Sequence, residues 1–308
     1  MDIRTLLLRP YLRSSVKGST LIELLVASVI GLSMLAMIFG VTMTNQGAVE
    51  QDMRRTRLNQ NIRSAMDLIA ADVRQAGERL PSSLPAVELI NGAGTANDQL
   101  LLRRNLIDEV LTVCQDISAG STGNVIYLST TAAGASPACT YGGQTQNYTT
   151  WKNYRLAHKN SVKVYIYNMS TRLGEFISYT GENDSGVTLS IQKQAGAFVN
   201  AYPKNISAVY IMSELRYRMS ADPTQPDVLE QVENKEEDNV RKVTFGLSTF
   251  QLQAILQDGT VKNSMTASDA WASLASISLT VSGQQKIKGR TIATTLSSRF
   301  FPRNILSL

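Results

Sequence analysis

Leu21 to Val41 is the segment that most restricts what this chain can become. The run, LIELLVASVIGLSMLAMIFGV, is 21 residues long and holds a single ionisable side chain, Glu23. As an α-helix it would be about 32 Å long, the thickness of a bilayer's hydrocarbon core. Gly31 and Gly40 are compatible with a membrane helix. Upstream lie four basic residues, Arg4, Arg9, Arg13 and Lys17, against one acid, Asp2. That bias predicts a cytoplasmic N-terminus and a body on the far side of the membrane. A secretory signal peptide would have a shorter apolar run followed by a small-residue cleavage site. Here the run flows into a second helical pattern, and the small residue, Gly18, precedes it.

A carboxylate in an apolar helix is costly unless it is paired or near the interface. The residues around Glu23 carry a resemblance that gives it a role. KG followed by STLIELLVA resembles the processing site of the type IV pilin superfamily. That pattern is a basic leader, a glycine, a TLIE-type string and a glutamate fifth after the cut. The resemblance implies cleavage between Gly18 and Ser19 by a prepilin peptidase, with N-methylation of Ser19. Thr20, Leu21, Ile22, Glu23 and Leu24 match the motif directly. The family's usual first mature residue is phenylalanine, and here it is Ser19. The family also implies that Glu23 sets subunit register by pairing with a neighbour's new α-amine.

Beyond Val41 the composition turns polar while the helical period persists. Val49, Met53, Leu58, Ile62, Met66, Ile69 and Val73 form one apolar stripe among charged residues. Gly77 and Pro81 mark the end of the helix, so one helix is expected from Ser19 to about Glu78. Sustained coiled-coil heptads are absent. The stripe is expected to pack under the rest of the chain.

From Pro81 the period approaches two. Short β-branched or aromatic runs alternate with turn residues, among them DQLLLRR, NVIYLST, VKVYIYNM, ISAVYIMSELRYRM, NVRKVTFGLSTFQLQAIL and GRTIATTLSSRFF. Residues 181–186, GENDSG, suit a hairpin loop. There is no βαβ alternation. The expected fold class is α+β: a long N-terminal helix packed against a mostly antiparallel β-sheet head, pilin-like by the resemblance. The expected organisation is a leader over 1–18, the helix over 19–80 with its membrane part at about 21–41, and the head over 81–308. Residues 114–150 are expected to be an irregular excursion, and 222–238 an acidic loop.

If the body is exported, Cys114 and Cys139 are expected to form a disulfide. Closing a loop of about 25 residues, it would contribute on the order of 3 kcal/mol. The alternative is two unpaired, buried thiols.

No nucleotide-binding, nucleophile-elbow or zincin motif is present, and the chain holds one histidine, His158, in an expected surface turn. The acidic run DVLEQVENKEED lacks the spacing of a calcium loop and is expected to be solvated. No cofactor, metal or catalytic residue is implied. The formal charge of +5 falls to 26 basic against 24 acidic residues without the first eighteen, so little of it argues for nucleic-acid binding. Lys286, Lys288, Arg290, Arg299 and Arg303 do follow the last acid, Asp269. They would suit a subunit contact with an acidic neighbour, a DNA contact or plain solvent exposure. Aromatics between Asn147 and Tyr154 are a second place where bases could stack.

The C-terminal segment from VRKVTFGLSTFQLQAIL through a tryptophan and LASISLTV to SSRFFPRN is similar to minor pilins of the PilW kind. The resemblance therefore implies a structural subunit, not an enzyme: a minor pilin that primes pilus assembly or sits at the tip. It would be anchored once in the inner membrane, with a periplasmic head, until incorporated into the pilus. Its implied partners are other minor and major pilins, the prepilin peptidase, the inner-membrane assembly platform and membrane lipid. A minor pseudopilin of type II secretion, a DNA-uptake pilin and an anchored envelope enzyme are the alternatives.

Overall fold

The computed structural model describes residues 20–94, 96–238, 240–287 and 290–305. These divide into two compact units, one ending at Arg54 and the other beginning at Arg55. Helix α1 (Leu21–Gln75) contributes to both.

The first unit is the N-terminal part of α1. It contains an apolar stretch long enough to cross a membrane, with none of that stretch buried in the protein. Val49 and Met53 are also exposed, which corrects the expectation that the packed stripe begins at Val49. The buried stripe starts at Leu58 and continues through Ile62, Ala65, Met66, Ile69 and Val73. Each fully buried aliphatic side chain in it contributes up to about 1.5–3 kcal/mol. The helix stops three residues short of Glu78. Gly77 takes φ +82°, the left-handed conformation that favours glycine after a helix end, and its N–H donates to the Arg103 carbonyl at 2.9 Å.

The second unit carries fifteen strands among the described residues, and every strand pairing is antiparallel. The overall class is α+β. One sheet runs in the order β1 (Val87–Ile90), β2 (Gln99–Asn105), β9 (Met212–Met219), β10 (Leu229–Glu233), β11 (Val240–Thr244). A second runs β13 (Val261–Lys262), β12 (Leu247–Leu256), β14 (Leu274–Ile287), β15 (Arg290–Phe300). The C-terminal part of α1 shares one hydrophobic core with these two sheets. Gly283 on β14 makes the close approach possible: a Cβ there would lie 2.7 Å from Leu58 Cδ1.

The third sheet runs β3 (Leu111–Thr112), β8 (Ser207–Tyr210), β5 (Val162–Asn168), β6 (Leu173–Asp184), β7 (Leu189–Lys193), β4 (Val125–Tyr127). Its two ends meet, because Cys114 N–H, just after β3, donates to the Tyr127 carbonyl of β4 at 2.9 Å. This sheet surrounds a separate core with helix α2 (Thr145–Ala157).

Three expectations are corrected here. Residues 114–150 are not irregular throughout: they contain β4, a 3-10 turn at Pro137–Cys139 and the start of α2. The acidic stretch 222–238 contains β10, where Glu230 is buried beside Arg218 and accepts from Ser220 Oγ at 2.6 Å. The long runs 206–219 and 239–256 each split into two strands in different sheets. The first passes between sheets at fully buried Ile211, and the second turns at Phe245 and Gly246, where φ is +81°.

Candidate functional site

The motif residues gather at the start of α1. Thr20 is the N-cap: its carbonyl accepts from Leu24 N–H at 3.2 Å, the first bond of the helix. Its Oγ1 accepts from Glu23 N–H at 3.3 Å, and Glu23 Oε2 accepts from Thr20 N–H at 2.9 Å. This reciprocal pair is a capping box, which satisfies two helix-terminal donors and places a negative charge at the positive end of the helix dipole. The T-x-x-E signature is legible in the sequence, and it was missed beside the more conspicuous motif. Among the described residues Glu23 makes no other hydrogen bond, so its second carboxylate oxygen is open. Leu21, Ile22 and Leu24 are more than two-thirds exposed. Gly18 and Ser19 lie outside the described residues.

Beyond the cap, serine and threonine hydroxyls fold back onto the helix. Ser28 donates to Leu25 O at 2.9 Å, Ser33 to Ile30 O at 2.8 Å, and Thr42 to Ile38 O at 2.8 Å. Their polarity is absorbed locally, leaving an apolar cylinder suited to hydrocarbon or to other helices.

The C-terminal part of α1 is fixed by polar contacts as well as by packing. Tyr217 on β9 donates its hydroxyl to Asp72, and Gln231 on β10 donates to the same tyrosine oxygen at 2.6 Å. Burial and the Asp72 carboxylate push the Tyr217 phenol well above its ordinary pKa. At the helix end, Asn304 Nδ2 lies 3.3–3.4 Å from the carbonyls of Arg74, Gln75 and Ala76. These are carbonyls with no partner inside the helix, so Asn304 caps α1.

Cys114 and Cys139 form a disulfide with Cα atoms 5.5 Å apart. Gln144 lies beside it, accepting from Thr112 N–H at 2.7 Å and donating to Leu128 O at 2.6 Å. Helix α2, just beyond, is tied to β6 by a bidentate pair, Arg155 Nε to Glu182 Oε1 at 2.5 Å and Nη2 to Oε2 at 2.8 Å. Burial alone would raise the Glu182 pKa, but donors from Arg155 and Tyr179 hold it below the ordinary carboxylate value.

No match to this chain is found among family models, curated proteins or solved structures.

The other sequence candidates separate on inspection. Trp151 and Tyr148 are buried in the second core, and Trp151 Nε1 donates to Glu109 O at 2.9 Å. These two are therefore not available to stack on bases, whereas Tyr154 is half-buried. His158 caps the end of α2, with Nδ1 2.7 Å from the Tyr154 carbonyl and its ring stacked on Tyr154 at 4.0 Å. Among the described residues no group of three His, Cys, Asp or Glu side chains is placed to hold a metal ion. Arg299 and Lys286 are exposed and form no ion pair among the described residues, and Lys288 lies outside them.

Proposed function

We propose that the protein is a minor pilin of a type IV pilus, a structural subunit that primes assembly or sits at the tip. The observation that carries this reading is the register of one short segment. Basic leader, Gly18, the TLIE string and a membrane-length apolar run follow one another without a gap. The capped helix start at Thr20, one residue beyond Ser19, supports it, as does a β-rich body behind an apolar helix with no buried side chain in its N-terminal part.

Hydrolysis of the Gly18–Ser19 peptide bond would leave a carboxylate on Gly18 and a free amine on Ser19. Glu23 then has two tasks. One oxygen holds the Thr20 amide of its own chain, and the other accepts the ammonium of a neighbouring subunit. In a medium of low dielectric that pairing offsets much of the cost of each buried charge. The head supplies lateral contacts, and the apolar half of α1 packs with other helices after leaving the bilayer.

Intact mass of the protein extracted from the membranes of its native host tests the reading. Loss of residues 1–18, with or without one methyl group, is the expected result; a chain that still starts at Met1 sinks it. Two variants then separate the tasks of Glu23. Glu23→Gln keeps a capping box but removes the charge, whereas Glu23→Ala removes both. Both are expected to insert normally and to be excluded from pili. Normal incorporation of Glu23→Gln would leave Glu23 as a cap alone.

A further inference from the structure

Every sheet edge among the described residues is bridged, covered or short except one. In the first sheet, β1 is bridged to Met265 by reciprocal bonds of 2.8 and 2.9 Å, and β11 is short and carries exposed Arg241 and Lys242. In the second, the outer side of β12 is covered by β13 and by the loop at Asn97 and Asp98. Phe250 N–H donates to Asn97 Oδ1 and Leu252 N–H to Asp98 Oδ2, both at 2.6 Å. The third sheet meets itself between Cys114 and Tyr127. These are the usual protections against unwanted strand pairing.

The remaining edge is β15, which is neither short, bridged nor covered; its exposed Arg299 lies near one end. It is eleven residues long, contains no proline, and pairs with β14 without a bulge from Phe300 to Arg290. On its other side, among the described residues, its backbone groups have no partner. Its outward side chains are small and neutral over Thr291, Ala293, Thr295 and Ser297, whereas Leu296 and Phe300 face the core and are only partly covered. A further strand would pair the open ladder and finish covering that apolar edge.

The surroundings of the edge are basic. Thr294 Oγ1 donates to Asn59 Oδ1 at 2.8 Å, which sets the Asn59 stripe of α1 beside β15. Arg55 and Arg63 lie one turn either side of Asn59 on that stripe. Neither forms an ion pair among the described residues, nor does Lys286 or Arg299, and Asp67 leaves Arg63 unpaired.

We propose that the open edge of β15 is a docking site for an extended, acidic strand of another protein subunit. Unpaired backbone groups select a strand, and the uncompensated arginines and lysine select its sign. The inference stands apart from membrane anchoring and leader processing. It would hold for a chain that keeps residues 1–18.

The test is amide hydrogen exchange on the full chain in detergent micelles. The probe is a ten-residue peptide alternating valine with threonine, carrying two glutamates. The expected result is slowed exchange at alternate β15 amides only. Replacing the glutamates by lysines, or reversing the protein's charge with Arg299→Glu, should weaken binding about fivefold. Lys286→Glu serves as a second reversal should Arg299→Glu unfold. No slowing at β15 with millimolar peptide, or equal slowing by the lysine peptide, would overturn the proposal. So would β15 protection that grows with protein concentration alone, which means self-pairing, or protection by a DNA duplex in place of the peptide.

Discussion

The two parts of α1 have the same backbone and opposite fates. In one, Leu32 and Phe39 are mostly exposed; in the other, Leu58, Ile62 and Ile69 have no exposure at all. The difference lies in what stands next to them in sequence. Around Leu32 nearly every neighbour is apolar, so no rotation of the helix could present a polar face to water. Around Ile62 the apolar residues occupy one stripe and polar or charged residues the rest. A stripe can be covered by a sheet, whereas an all-round apolar surface needs a solvent of its own kind. One helix thus carries two kinds of surface.

The sharpest way to break that contrast is a paired truncation. Ile62→Ala should lower the denaturant stability of the body by about 2–5 kcal/mol. Leu32→Ala should leave it unchanged, read by fluorescence of the buried tryptophans in detergent. Comparable losses would mean that both parts are packed. A pair of glycine substitutions asks the same with smaller effect. Gly283→Ala drives a Cβ against Leu58 and the Gly246 carbonyl and should cost about 1–3 kcal/mol. Gly40 has nothing within 4 Å of its added methyl, so Gly40→Ala should not lower the melting temperature.

The contrast was largely legible beforehand, because periodicity is what distinguishes a stripe from a cylinder. Val49 and Met53 defeated it: they hold the helical spacing but lie outside the packed unit, and spacing does not reveal where the covering sheet stops. Helix α2 was missed because TQNYTTWKNYRLA is rich in threonine, asparagine and tyrosine, all middling helix formers, and Gln144 gives no side-chain cap. Its buried Tyr148, Trp151 and Arg155 do repeat at three- and four-residue steps, a signal hidden by low hydrophobicity. The break at Ile211 was invisible for the opposite reason. A run buried in two successive sheets shows no change of composition where it crosses. Strand β10 was obscured by its acids, since sequence alone does not show Glu230 meeting Arg218 and Ser220. At Glu23 two signals overlap in the same residues: the apolar motif is conspicuous, and the T-x-x-E cap is hidden inside it.

Smaller effects should also fall on one side of the divide. Thr20→Ala should cost about 1 kcal/mol of helix-end stability. It should appear as faster amide exchange in the first turn of α1, with the body's unfolding untouched. Acid should act on the body. The Lys262 ammonium and the Thr266 backbone N–H hold the Asp269 carboxyl at about 2, below its ordinary value. A depressed native pKa contributes stability above the unfolded pKa of about 4 that is lost as pH falls toward 2. The side chains are partly exposed, so the contribution is under about 1 kcal/mol. Melting temperatures of wild type and Asp269→Asn should therefore differ at pH 7 and converge near pH 2.

The clasp of Asn304 on the last carbonyls of α1 has a consequence for biogenesis. Residues some 230 positions apart must meet before the helix end is sealed, and β14 and β15, which approach Leu58, Ile62 and Asn59, follow every other described strand in the chain. Contacts of such long range form late. A nascent chain must therefore extend past all the earlier strands with that greasy seam incompletely covered, and any polypeptide cut short before β14 carries a permanent invitation to chaperones and proteases.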